Sequence, residues 1–379
     1  MRAISLFSGA GGLDLGCEPA GFETAAMVEW NETARSTVLA NRDRFFPSLS
    51  PEAVFSDITQ VSPFEICDAA GVRPGELDLV HGGPPCTPFS KSGYWLEYKR
   101  AGADPKASLL DNYIDVVAAA RPKAFLMENV YGLAYNNQNR AVLNRFLERA
   151  GAAGYEARYT ILLAADLGVP QIRQRLFCVG IRRDLLDCDP ALWAMAWPAA
   201  THAGPHETRK SWHSADLLPH VTSAEALAGL SQSANPAEPE EVVAGTYAEE
   251  FRAVPAGDNY LYWTAERGHP SPRFAWRSRF WSFLLKLDPA KPSPTIQGQP
   301  GPWVGPFHWE NRRLRVAEVK RLMTFPDEFV VLGSRRDKQL QLGNAVPPLL
   351  GHQVASAIAA ELSRLDVIDD QPAAVLTAA

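Results

Sequence analysis

The chain has 379 residues, 46% hydrophobic and 21% charged, with a net charge of −6. That length provides for a large core and two or three domains, and the acidic balance argues against a protein that coats nucleic acid indiscriminately. No apolar run approaches the ~18–20 residues of a membrane span, and five scattered cysteines with no CxxC pair argue against a disulfide framework or a thiolate zinc site.

In chain order, "MRAISLFSGAGG" enters a strand by residue 3, leaving no room for a signal peptide, so a cytoplasmic location is expected. "AISLF" reads as a strand opening into the turn-rich "SGAGGLDLG". "ETAAMVEWN" reads as a second strand and "ETARSTVLANR" as a helix overlapping its end. "LDLVHGG" is a strand running into a proline-proline-cysteine bend, and "SLLDNYIDVVAAARP" a helix that stops before Pro122. "KAFLMENV" is a buried strand, "RAVLNRFLERAGAAGY" a helix with a glycine exit, and "RLFCVGI" a further strand. This alternation implies an α/β sheet with helices on both faces, whose ligands lie at the carboxyl ends of the strands.

After residue 184 the texture changes. Residues 185–310 are proline-rich and irregular and hold eight of the ten tryptophans, which read as the core of a smaller second domain. Residues 271–345 carry 13 basic and 6 acidic residues, against 5 and 12 in residues 1–90, the imbalance of a phosphate-docking face or of a solvated surface. The last helix is "PPLLGHQVASAIAAELSRL". The expected organisation is a first domain at 1–184, the insert at 185–310, a return segment and helix at 311–362, and a disordered tail at 363–379.

Several residues stand where chemistry is expected. Gly9 and Gly11, with Gly12, follow a strand and open a helix, a setting that brings backbone amides to a ligand. Glu29 ends the next strand, about 20 residues on, where an acid takes ribose hydroxyls; a tight turn with a capping acid is the other reading. Trp30 suits an adenine face or a core, and Asp57 with Ile58 an adenine edge or a helix cap. Cys86 sits at a strand's carboxyl end on a backbone stiffened by two prolines, a placement for a nucleophilic thiolate rather than a packing residue. Glu128 closes "AFLM", and Arg173 and Arg175 share one face of an extended segment.

In this order, "LFSGAGGLDLG", "EWN", "DI", "GGPPCTPFS", "MENV", "VPQIRQR", "RRLRVAEVKRLMTFPDEF" and "QLGNAVPP" resemble the cytosine carbon-5 DNA methyltransferases of bacterial restriction-modification systems. The resemblance covers residues 1–183 and 311–360 and leaves the insert outside it. Ser5 departs from the pattern, standing where many members have aspartate. The resemblance implies a Rossmann-like S-adenosylmethionine-dependent methyltransferase sheet plus a target-recognition domain. It implies Cys86 as nucleophile, Glu128 as acid, and Arg173 and Arg175 as holders of the base. Phe7, Gly9, Gly11, Glu29, Trp30, Asp57, Ile58, Pro85, Leu109 and Asn344 would hold S-adenosylmethionine. Lys91, in a loop following Cys86, and Arg273, Arg277 and Arg279, interleaved with aromatics in the insert, would contact double-stranded DNA. A monomer is expected, with any cognate restriction endonuclease acting separately. A transfer-RNA-methylating branch shares "PPC" and "ENV", but its "CFT" tripeptide is absent. A nicotinamide dehydrogenase would leave Cys86, Glu128 and the paired arginines unexplained.

Overall fold

A computed structural model describes residues 1–85, 108–135, 137–186, 188–204, 217–231, 233–235 and 237–369. The chain divides into two compact units. One comprises residues 1–162, 174–198 and the chain from 351 onward; the other comprises 163–173 and 199–350.

The first unit is a seven-stranded sheet. Its strands are β1 (Arg2–Leu6), β2 (Glu23–Val28), β3 (Val54–Phe55), β4 (Leu79–Gly82), β5 (Ala124–Val130), β6 (Tyr155–Leu163) and β8 (Gln174–Arg182), in the order β3-β2-β1-β4-β5-β8-β6. β1, β2, β3, β4 and β5 pair in parallel, and β8 runs antiparallel to β5. The order reverses between β1 and β4, so the loops after these strands open on the crevice where α/β sheets bind ligands. The helices are α1 (Asp14–Cys17), α2 (Glu32–Phe45), α3 (Pro63–Ala69), α4 (Ser108–Ala120), α5 (Gly132–Tyr135), α6 (Asn137–Ala152) and, from residue 351, most of the helix that closes the chain.

Local chemistry sets several of these boundaries. Asn31 accepts a hydrogen bond from Ala34 N at 2.9 Å and caps α2. Ser62 and Glu65 form a reciprocal capping box on α3. The Tyr113 hydroxyl of α4 is buried 3.1 Å from the Val80 carbonyl and 2.9 Å from that of Leu126, tying the helix to β4 and β5. Trp193 and Glu361, joined at 2.9 Å, anchor the closing helix within this unit.

The second unit has little regular structure: short helices α7 (Ser223–Ala226), α8 (Ala248–Ala253), α9 (Val316–Leu322) and α10 (Arg335–Asn344), and two-residue strands. Of these, β7 (Gln171–Ile172) pairs with β11 (Ser293–Pro294), and β9 (His202–Ala203) with β10 (Leu218–Pro219). Its core is aromatic: Phe251, Tyr260, Phe283 and Phe307 are buried, with Tyr247, Trp263, Phe274 and Trp303 against them. Lys286 is buried among them, its ammonium 4.8 Å from the Phe251 ring centre and bonded to the Val254 carbonyl at the end of α8.

The units differ from the expected ranges in four respects. Residues 185–198, expected in the insert, belong to the first unit, and Trp193 and Trp197 with them. Residues 163–173 and 311–350 belong to the second unit, because β7 pairs with β11 and α9 and α10 pack together there. The closing helix α11 (Pro348–Asp369) continues through 363–369, which were expected to be disordered. The tryptophans are not all core: Trp276 is 40% and Trp281 59% exposed.

Candidate active site

At the carboxyl end of β1 the chain turns through left-handed backbone at Phe7 (φ 54°), Gly9 (φ 56°) and Gly11 (φ 77°). A Cβ on Gly11 would come within 3.0 Å of the Phe46 ring, whereas one on Gly9 would meet nothing within 4 Å. Glycine at 11 therefore serves packing, and glycine at 9 leaves the backbone open to a ligand. The turn is held by Ser8 N donating to Val28 O at 3.3 Å, and the Ser5 and Ser8 hydroxyls lie 3.0 Å apart. Ser5 thus supports the loop by a neutral contact.

Glu29 lies just past β2. Its Oε2 accepts from Gly9 N and its Oε1 from Asn31 N, both at 2.7 Å, and burial raises its carboxyl above the usual range. Arg35 Nη1 donates to the carbonyls of Glu29 (2.8 Å) and Trp30 (2.7 Å), fixing the backbone so that the Trp30 side chain stands 79% exposed. Asp57, after β3, is half-buried with Oδ1 taken up by Thr59 N at 2.9 Å, and Ile58 is buried beside it. Pro85 after β4 and Leu109 at the start of α4 are both half-buried. Open backbone at Gly9, a carboxylate presented by Glu29 and an exposed indole suit a ligand with ribose hydroxyls and an adenine ring, so these residues fit S-adenosylmethionine.

β4 ends against its neighbours. A Cβ on Gly82 would fall 2.1 Å from the Leu6 carbonyl oxygen, and one on Gly83 would fall 3.0 Å from Glu128 Oε2. Glu128, on β5, is 8% exposed, and its Oε1 lies 2.9 Å from Arg175 Nε on the antiparallel β8, the two being diagonal neighbours because Glu128 pairs with Phe177 and Val130 with Arg175. Asn129, buried beside it, donates from Nδ2 to the Pro84 carbonyl at 3.2 Å and anchors the bend that leads to Cys86. Cys86 and Lys91 themselves lie outside the described residues.

Arg173 and Arg175 have different partners. Arg173 is fully buried in the second unit, where Nη1 donates to Ile296 O (3.2 Å) and to Gln171 Oε1 (3.2 Å). Its Nη2 donates to the carbonyls of Gly343 (2.8 Å) and Ala345 (3.0 Å). The expectation that the two arginines share a face is corrected here: β7 ends at Ile172 and β8 begins at Gln174, so the alternation breaks at Arg173. Also in the second unit, Asn344 ends α10 exposed, with its Oδ1 where a Cβ on Gly298 would need to be. Arg273, Arg277 and Arg279 are all exposed.

Sequence reasoning missed Asn129, Arg35 and a buried pair under the glycine loop. Asp14 and His81 are fully buried with Oδ1 and Nε2 3.7 Å apart; burial pushes Asp14 up to about 7 and His81 down to about 3. An aspartate inside the otherwise small and apolar "GGLDLG" was the available signal for that pair.

The model of the C-5 cytosine-specific DNA methylase family matches residues 1–360. The chain belongs to this family. It is a DNA (cytosine-5)-methyltransferase, and S-adenosylmethionine is its methyl donor. It is 46% identical to the Type II methyltransferase M.SacI of Streptomyces achromogenes, over 97% of this chain and 94% of that one. It is 30% identical to M.NgoPII of Neisseria gonorrhoeae over 96% and 97%. Among solved structures, the fold is shared with a protein described as a DNA modification methyltransferase encoded within an E. coli prophage (TM-score 0.68, 21% identity, 96% of this chain and 99% of that one). It is shared as well with a DNMT2 variant from Spodoptera frugiperda (TM-score 0.58, 18% identity, 96% and 99%). This methyltransferase thus has the Rossmann-like sheet, and no helix among its described residues is long and apolar enough to cross a membrane.

Proposed function

We propose that this methyltransferase modifies a cytosine flipped out of duplex DNA, with Cys86 as nucleophile, Glu128 as acid and Arg175 as the electrostatic support of the base. The observation that carries the reading is the Glu128–Arg175 pair at 2.9 Å, with Gly83 against the carboxylate and Asn129 holding the Pro84 carbonyl two residues before Cys86. Cytosine must leave the stack because carbon 6 is covered on both faces in a duplex. The Cys86 thiolate adds to carbon 6, and electron density moves onto carbon 5 and ring nitrogen 3. Arg175 turns from Glu128 to the base oxygen, and Glu128, which takes up a proton once that ion pair opens, delivers it to the ring nitrogen. S-adenosylmethionine supplies an electrophilic methyl group, which carbon 5 takes up. A base takes the carbon-5 proton, the 5,6 double bond re-forms, the Cys86 thiolate leaves, and the proton on ring nitrogen 3 returns to Glu128.

Phe7, Gly9, Gly11, Glu29, Trp30, Asp57, Ile58, Pro85, Leu109 and Asn344 are assigned to the methyl donor. Arg173 is reassigned from base contact to positioning residue, because its guanidinium is spent on three main-chain carbonyls and Gln171. The second unit selects the target sequence, and Arg273, Arg277, Arg279 and Lys91 are assigned to the DNA. The enzyme is read as a cytoplasmic monomer, with any cognate restriction endonuclease acting separately; its relatives are described as Type II methyltransferases.

The test is trapping. Duplex DNA with 5-fluorocytosine at the target, mapped first by bisulfite sequencing, should give a stable adduct when the methyl donor is present, because fluorine cannot leave as a proton does. Cys86→Ser should give none; an adduct of undiminished yield, or one on another cysteine, overturns the assignment.

A further inference from the structure

Residues 273–283 form a loop whose ends are fixed and whose middle is displayed. Phe274 and Phe283 lie in the aromatic core, 5.7 Å apart between ring centres. Between them the backbone is pinned: the Arg279 carbonyl accepts from the Tyr260 hydroxyl at 2.9 Å, and the Trp281 carbonyl accepts from Asn259 Nδ2 at 2.7 Å. The Ser278 hydroxyl donates to Ala275 O at 2.7 Å. On this frame Trp276 is 40%, Phe280 72% and Trp281 59% exposed. Arg277, held at φ 55°, lies over the Trp276 ring at 5.9 Å. None of Arg273, Arg277 and Arg279 forms an ion pair with a carboxylate among the described residues, whereas nearby Arg267 pairs with Asp258 at 2.7 Å and Arg321 with Asp327.

Three large apolar rings stand in water on a braced backbone, interleaved with three guanidiniums that have no carboxylate partner among the described residues, Arg277 lying over Trp276 and Arg279 over Phe283. A surface carrying both is complementary to a polyanion with stacked, flat, apolar faces and methyl groups at its base edges.

We infer that Trp276, Phe280 and Trp281 are the apolar reading elements of the enzyme for duplex DNA, pressed on base edges while Arg273, Arg277 and Arg279 neutralise the flanking phosphates. The inference rests on the proposal that the second unit selects the target. It divides the loop into two sets with different signatures. Phosphate contacts are sequence-blind, and each contributes about 0.9 to the slope of log affinity against log salt. Apolar contacts to bases leave the slope alone and carry discrimination.

The experiment measures affinity of the full-length enzyme for a duplex containing its mapped site and for a shuffled duplex, over a range of salt. The Trp276→Ala/Phe280→Ala/Trp281→Ala variant should lose at least tenfold in preference for the site with an unchanged slope. The Arg273→Gln/Arg277→Gln/Arg279→Gln variant should bind both duplexes more weakly, with a slope shallower by about 2–3. Binding of S-adenosylmethionine reports that each variant is folded. For the unaltered enzyme, photo-crosslinking to 5-iodouracil-substituted DNA should map to Trp276, Phe280 or Trp281. Wild-type preference in the aromatic variant, or crosslinks only elsewhere, overturns the inference. If exchanging the second unit moves the methylated site but the aromatic variant is silent, only the loop assignment fails. If the exchange leaves the site unchanged, the proposal beneath it fails.

Discussion

Asp14 and His81 share the interior of the first unit, and their opposite shifts make a specific statement about pH. Asp14 titrates near 7 instead of 3.8, so the stability it contributes is present below 3.8 and is lost as pH rises through 7. His81 titrates near 3 instead of 6.5, so its contribution is present above 6.5 and is lost as pH falls toward 3. Between about 4 and 6.5 the folded pair binds one proton and so does the unfolded pair, and the two slopes cancel. Each single variant should expose one of them. Asp14→Asn should make unfolding free energy rise with pH by up to about 1.4 kcal/mol per unit, and His81→Asn should make it fall by as much. Urea unfolding at pH 5 and 6.5 checks this; equal slopes in both variants would show that the pair does not exchange its charge in this way. A second residue-scale prediction concerns Gly83. Its added Cβ would meet only the tip of the Glu128 carboxylate at 3.0 Å, which can yield. Gly83→Ala should therefore fold and bind S-adenosylmethionine, yet lose at least ~10-fold in turnover through a displaced acid, whereas Glu128→Gln should lose about 100-fold or more.

At the scale of elements, the contact between β1 and β4 leaves no latitude. A side chain at Gly82 would strike the Leu6 carbonyl 2.1 Å away at the last pair of a buried parallel ladder, so Gly82→Ala should give insoluble protein where Gly83→Ala does not. Arg173 makes a comparable demand on the second unit. Lys at this position retains the charge but cannot span carbonyls on Ile296, Gly343 and Ala345 at once, so Arg173→Lys should lower stability by about 3–5 kcal/mol. Differential scanning calorimetry would measure that loss; an unchanged melting profile would deny Arg173 its bracing role. The sequence showed some of these elements and not others, for physical reasons. β1, β2, β4, β5 and β8 are apolar runs ending in turns, which is how buried strands read. β6, "YEARYTILL", lies at the sheet edge and is mostly half-exposed, so it carries neither a continuous apolar run nor a clean alternation. The antiparallel direction of β8 left no mark in its composition. Glu29, Glu128 and Arg175 drew notice as charges beside apolar runs, although Glu128 and Arg175 lie within β5 and β8 and not at their ends. The burial of Arg173 was not legible, because its partners are backbone carbonyls more than 120 residues away, which have no sequence signature.

For the molecule as a whole, the proposal that the second unit selects the target makes the division into units decide how that choice can be exchanged. The 163–173 segment lies before the insert in sequence but inside the second unit. There it contributes β7 to the pairing with β11, Arg173 to three carbonyls, and Asp166 to an ion pair with His220 at 2.9 Å. A chimera that replaces only 185–310 with the matching segment of a relative would set a foreign Ser293–Ile296 stretch against the original Gln171–Arg173. We expect poor folding from it, and soluble, retargeted enzyme when 163–173 and 199–350 are exchanged together. Thermal melting and bisulfite mapping of both chimeras check this; equal behaviour would mean that the short segment is not part of the unit that carries choice.

The same segment bears on how a lineage could acquire a new target by recombination. Donor DNA carrying a foreign recognition unit must be joined at two separated places in the gene, one of them only eleven codons long. A single crossover pair around the long stretch leaves a mismatched guest strand and an arginine aimed at the wrong carbonyls. Descent by gradual substitution on the exposed loops is thereby easier than descent by exchange, and mosaic genes of this architecture should carry matched breakpoints on both sides of codons 163–173.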